Sequence, residues 1–145
     1  MASDLRIISG DLHKYGDPIA LIQARLRKFP QARYDASRHG VVVFPVDASG
    51  FTVRFREFGG HFRIECDGWR GEFNELDPAL ECFFAALGPA SRLLVRLRGR
   101  WPQGWQLQLS KDGHWVALHE SIRLIFPFWL RADLVYLQNR LLEAA

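Results

Sequence analysis

Residues 51–73 largely alternate apolar and polar side chains, and turn signals interrupt them at Gly59-Gly60 and Asp67-Gly68. Phe51, Val53 and Phe55 fall on one side, and Thr52, Arg54 and Arg56 on the other. A period of two is the mark of a half-buried strand. The pattern resumes over 61–66 with Phe62, Ile64 and Cys66 on the apolar side. Gly-Gly and Asp-Gly tolerate the positive φ of tight hairpin turns. This stretch therefore reads as an antiparallel meander that 69–73 closes. The short apolar run 41–45 supplies a strand before it, across the turn Asp47-Ala48-Ser49-Gly50.

The same alternation returns over 92–100, with Leu93, Val95 and Leu97 opposed to Arg96, Arg98 and Arg100. Trp105, Leu107 and Leu109 then alternate with Gln106 and Gln108, and Asp112-Gly113 turns the chain into a strand over 114–119. Helices are expected around these strands. Asp17-Pro18 has the form of a helix start, because Asp accepts free N–H groups and Pro needs no partner in the first turn. Ile19, Ile22, Leu26 and Phe29 follow at helical spacing, and Pro30 ends the run. Residues 31–39 read as a polar connection. Asp77-Pro78 repeats the start signal before Leu80, Phe83, Phe84 and Leu87, and Gly88-Pro89 stops it. Leu134, Leu137 and Leu141 are spaced for one face of a final helix over 132–143.

The expected order is α-ββββ-α-βββ-α in a single domain, 1–145. That is an α+β fold in which helices pack on one face of an antiparallel sheet of about six to seven strands. The chain of 16.7 kDa is long enough to build a core without disulfide or metal. Val53-Arg54-Phe55-Arg56 resembles Val95-Arg96-Leu97-Arg98, and each half has an Asp-Pro helix start and an Asp-Gly turn. The spacings of these paired features disagree, so duplication is a hint only. The uncharged stretch 124–130 is far short of the ~20 residues of a membrane helix.

Motifs for chemistry are absent. The sequence has no phosphate-binding GxxxxGK[ST], no GxGxxG, no GxSxG and no HExxH. His114 and His119 lie five apart on one expected strand, which puts them on opposite faces unless a bulge intervenes. No cofactor and no metal are expected. Cys66 and Cys82 form no CxxC pair, and free thiols suit a reducing cytoplasm. Residues 1–10 carry Asp4 and Arg6 and lack the apolar stretch of a secretion signal. A cytoplasmic protein is expected.

Three places stand out as candidate surfaces. The first is the polar side of the strands, where Arg54, Arg56, Arg63, Arg96 and Arg98 alternate to the same side as Gln106 and Gln108. As neighbours in one sheet they would form a guanidinium-rich face for an anion or nucleic acid. A solvated face balanced by Glu57, Glu65 and Glu72 is the plainer reading. RNA-binding sheets stack bases on outward aromatics, whereas Phe51, Phe55 and Phe62 alternate inward. The net charge of +3, with Arg greatly outnumbering Lys as GC-rich bacterial coding produces, does not call for nucleic acid either. The second place is the loop at Trp101, since Trp beside Arg is the composition of binding hot spots. The third is 122–129, whose Phe126, Phe128 and Trp129 exceed what one short segment hides and are candidates for self-association as a homodimer.

The leading expectation is a non-catalytic module that binds a protein partner. The alternatives are an anion- or nucleic-acid-binding protein using the Arg-rich face, and a small enzyme with a dispersed site. A further one comes from element order, which resembles that of bacterial type III secretion chaperones, small dimers that hold an unfolded effector segment. The resemblance is one of order alone, and those chaperones tend to be acidic whereas this chain is basic.

Overall fold

The computed structural model describes residues 17–122 and 132–142. In chain order the elements are α1 (Pro18–Leu26), β1 (Arg33–Ala36), β2 (Gly40–Phe44), β3 (Val53–Phe58), β4 (His61–Cys66), β5 (Trp69–Phe73), α2 (Leu76–Ala86), β6 (Ser91–Arg98), β7 (Trp101–Lys111), β8 (His114–Ile122) and β9 (Ala132–Leu137). The protein is mixed α+β, and every strand pair is antiparallel. The strands form two sheets where one was expected, a five-stranded sheet ordered β1-β2-β3-β4-β5 and a four-stranded sheet ordered β8-β7-β6-β9.

In the first sheet the alternation of 51–73 becomes register. Val41 lies opposite Phe55, Phe55 opposite Ile64, and Val53 opposite Cys66, all on the inner face. The turns sit where the sequence put them, with Asp67 at φ 50° and Gly59 and Gly60 also left-handed. Both helices cover this inner face. Phe83 of α2 meets Phe55 edge-on at 5.9 Å between ring centroids. Leu93, Val95, Trp105 and Leu107 of the second sheet join the same buried cluster as Val53, Ile64 and Phe83.

The two helix starts differ. Asp17 caps α1, accepting from the Ile19 N–H at 3.0 Å. Helix α2 begins one residue before Asp77, and its cap position, Glu75, makes no side-chain hydrogen bond. The second Asp-Pro pair is therefore inside the first turn, where the Asp77 carboxylate still suits the positive end of the helix.

The expected helix over 132–143 is instead the edge strand β9. Leu93 faces Leu137, Val95 faces Val135 and Leu97 faces Asp133 across the pair. Val135 and Tyr136 favour extended backbone, and pairing with β6 outweighs three leucines at helical spacing. Beyond the strand, Asn139 accepts from the Phe51 N–H at 2.9 Å and donates to the Phe51 and Ala86 carbonyls at 2.9 and 3.0 Å. That side chain ties 138–142 to the loop before β3 and to the end of α2. The expected polar connection 31–39 also holds a strand, β1, too short and exposed to show alternation.

Among the described residues the order is α-βββββ-α-ββββ, which matches the expected one only roughly. The two sheets also differ in topology. The first is a meander, whereas in the second β9 returns beside β6 in Greek-key order. That difference does not favour duplication. Among the described residues no helix is long and apolar enough to cross a membrane.

Candidate functional site

The five expected arginines do not share a face. Arg54, Arg56 and Arg63 project from the outer face of the five-stranded sheet, whereas Arg96 and Arg98 belong to β6 in the other sheet. The first group is held by carboxylates. Glu65 reaches Arg54, Arg56 and Arg63 at 3.8, 3.7 and 4.0 Å. Glu72 accepts from Arg63 Nε at 2.7 Å and contacts His61 Nε2 at 2.5 Å. The bond to Glu72, and then that to Asn74, raises the His61 pKa above its ordinary value. Beside these residues is an open depression of about 380 Å³ lined by Asp35, Ser37, Arg54 and Arg56 among others. It holds a single carboxylate and no histidine, which is a poor start for acid–base chemistry.

The outer face of the four-stranded sheet is built differently. Pairing sets Arg92, Leu94 and Arg96 of β6 beside Gln108, Gln106 and Gly104 of β7. Tyr136 lies opposite Leu94, and Leu134 opposite Arg96, on β9. On the far side, β8 contributes Trp115, Glu120 and Ile122. The Arg92 guanidinium sits between two rings, 4.3 Å from the Trp115 centroid and 4.2 Å from that of Tyr136. Its Nε donates to Gln108 Oε1 at 2.6 Å, and Gln108 Nε2 donates in turn to Gln106 Oε1 at 2.9 Å. Arg96 is paired with Glu120 at 3.5 Å, and Arg98 donates to Gln103. Gly104 leaves room for that carboxylate, since a Cβ there would come within 2.7 Å of Glu120 Oε1.

Large side chains ring this polar centre and remain in water. Ile122 is 62% exposed, Leu134 55%, Tyr136 51% and Trp101 50%. Trp101 stands at the β6–β7 hairpin under Arg100, 5.9 Å from its ring centroid, and takes no part in the core. Phe126, Phe128 and Trp129 lie outside the described residues.

A register shift in the β7–β8 pair, between Gln106 and Gln108, interrupts the alternation of β8. His119 stacks on the buried Trp69 ring at 4.9 Å and donates through Nε2 to the Arg70 carbonyl, while Trp69 Nε1 donates to the His119 carbonyl at 2.8 Å. This histidine joins the sheets, with Ser121 adding a bond from the Arg70 N–H. Cys66 and Cys82 are buried and unpaired with each other. Burial pushes both thiols up, that of Cys82 to about 12. Neither is a thiolate nucleophile at neutral pH. Among the described residues no three His, Cys, Asp or Glu side chains converge to hold a metal ion.

The alternation that singled out Arg96, Arg98, Gln106 and Gln108 also places Arg92 on that face, a signal left unused. The Asp112-Gly113 turn likewise pairs Trp115 with Ser110 on that face. Tyr136 had no such signal, because it lies in the segment whose leucines imitate a helix. Comparison with protein-family models, with curated proteins and with solved structures returned no match.

Proposed function

We propose that this chain is a non-catalytic protein-binding module whose contact surface is the outer face of the four-stranded sheet. The observation that carries the reading is the set of large side chains left in water along this face, namely Trp115 and Tyr136 at Arg92, Ile122 and Leu134 level with Arg96, and Trp101 beside Arg98. Trp, Tyr and Arg dominate the energetics of protein interfaces. Nucleic acid fits less well. The carboxylates Glu65, Glu72 and Glu120 neutralise the arginines that would track a phosphate chain. Arg92 already fills the facing sides of the two rings on which bases would stack. A cytoplasmic location belongs to the proposal, supported by two buried free thiols.

The test is affinity capture from the native host with protein and nucleic acid both identified. An Ile122→Lys/Leu134→Lys variant should lose a protein that the parent and an Arg54→Glu/Arg56→Glu variant retain. Recovery of nucleic acid alone, or equal recovery by both variants, would overturn the assignment.

A homodimer is a second reading, favoured by β9. Among the described residues this strand pairs with β6 alone, and it exposes Leu134, Val135 and Tyr136 with no Lys, Pro or bulge to guard the edge. Sedimentation at micromolar concentration should show a dimer that Val135→Lys converts to monomer, and a monomeric parent removes this reading.

A further inference from the structure

We infer that the Arg92 guanidinium, clamped between Trp115 and Tyr136, is a receptor for one carboxylate, supplied by an acidic side chain of the partner protein. The inference rests on the protein-binding reading and names the chemistry of its central contact.

The clamp fixes which part of the cation is available. The guanidinium carbon lies over both rings, 4.3 Å from the Trp115 centroid and 4.2 Å from that of Tyr136. Gln108 takes the Nε–H at 2.6 Å. What remains is the edge carrying the two terminal nitrogens, which no carboxylate engages among the described residues. That edge is a fork matched to two oxygens of one carboxylate. Arg54, Arg56, Arg63 and Arg96 differ, since each reaches a glutamate.

The amide chain beside Arg92 sets the polarity of the ligand. Arg92 can only donate, so Gln108 must present its oxygen to it and its nitrogen to the next group. Gln108 Nε2 then donates to Gln106 Oε1 at 2.9 Å, which leaves the Gln106 nitrogen as a donor. The Arg92 terminal nitrogens and Gln106 Nε2 thus offer donors beside the clamp. A ligand that only accepts fits them, and a neutral amide that brings its own N–H groups fits less well. Charge sets the number. Glu120 neutralises Arg96, the nearest arginine along β6, so Arg92 is the cation that the clamp itself presents. A single carboxylate balances it, whereas a phosphate chain would call for several. The stacking also holds Arg92 still before the ligand arrives, so less rotamer freedom is lost on binding.

The test is an NMR titration of the unaltered protein with blocked aspartate, N-acetyl-Asp-N-methylamide, and with the isosteric blocked asparagine, following Arg Nε–H and Gln side-chain amide signals. Aspartate should give saturable shifts at Arg92 and Gln106 at concentrations that leave Arg54 unmoved, and asparagine should give none. Arg92→Lys should weaken the aspartate response about tenfold, because an ammonium lacks the fork. Equal responses to the two probes, or equal shifts at Arg54 and Arg92, would overturn the receptor. That comparison needs no variant, so it stands even where Arg92→Lys fails to fold. A random-peptide display selection separates this inference from the reading beneath it. Enriched peptides that lack Asp and Glu keep the protein-binding module and remove the carboxylate receptor. A saturable aspartate shift with no peptide enriched removes the partner protein as the carboxylate's source.

Discussion

Asn139→Leu should be among the most damaging single substitutions in this protein, although it places an apolar residue of similar size in an interior site. Asn139 is 5% exposed and makes three hydrogen bonds to backbone, to the N–H and carbonyl of Phe51 and to the carbonyl of Ala86. Leucine satisfies none of them. Each buried group left without a partner costs about 1–3 kcal/mol, and the two carbonyls keep a second lone pair, so the low half of that range applies and the total is about 3–6 kcal/mol. A domain of this size has roughly 5–15 kcal/mol in all, and each kcal/mol moves the melting point by about 3–5 °C, so the midpoint should fall by ~10–30 °C. Thermal and urea unfolding by circular dichroism measure it. Asn139→Asp supplies a control with a sign. The carboxylate keeps the acceptor for the Phe51 N–H but turns an oxygen toward two carbonyls. Those carbonyls and burial raise the introduced carboxyl's pKa in the folded state, so the loss is full at neutral pH and shrinks as pH falls through that raised value. If Asn139→Leu melts within ~2 °C of the parent, residues 138–142 are not docked on the loop before β3 and the account of the C-terminal segment is wrong.

Three further outcomes follow from the same contacts. Phe83→Ala should cost about 3–5 kcal/mol, as truncation of a fully buried phenylalanine does, and a melting point within a degree or two of the parent would contradict its place against Phe55 and Phe84. The His61 pKa is raised by its bond to Glu72, so its contribution is complete below the unfolded value of about 6.5 and is lost as pH rises through the higher folded value. His61→Gln should therefore lower the melting point more at pH 5.5 than at pH 8.5, and a loss independent of pH removes the charged bridge. Single-stranded RNA or DNA should bind no more tightly than about 10⁻⁵ M at physiological salt, and sub-micromolar binding abolished by Arg96→Ala with Arg98→Ala would reverse the preference for protein.

What was legible in the sequence is local. The strands of 51–73 and their turns are written in adjacent residues, and so is the Asp17 cap. Which strands share a sheet is not. Alternation assigns each residue a side of its own strand, and nothing in Arg56 or Arg96 says that the sheet changes between β5 and β6. Counting Arg54, Arg56, Arg63, Arg96 and Arg98 on one side therefore summed two surfaces into one.

Parity also fails within a strand once a bulge enters. Trp115 and Glu120 are five apart on β8, yet the register pairs Trp115 with Ser110 and Glu120 with Gln106, two residues of the same face of β7. The extra residue between them restores the match, and strict alternation counted from the hairpin would have sent Glu120 to the interior. Arg92 then meets Trp115 across β7, and it meets Tyr136 only because β9 closes the other edge as a strand. The Trp115 half of the clamp follows from the Asp112-Gly113 turn, which pairs Trp115 with Ser110 on the Gln108 side of β7 with no bulge between them. The Tyr136 half depends on the strand that resembles a helix, and reading 132–137 as helix removes that ring. The bulge decides instead that Glu120 lies on the face of Arg96, where it pairs with that arginine.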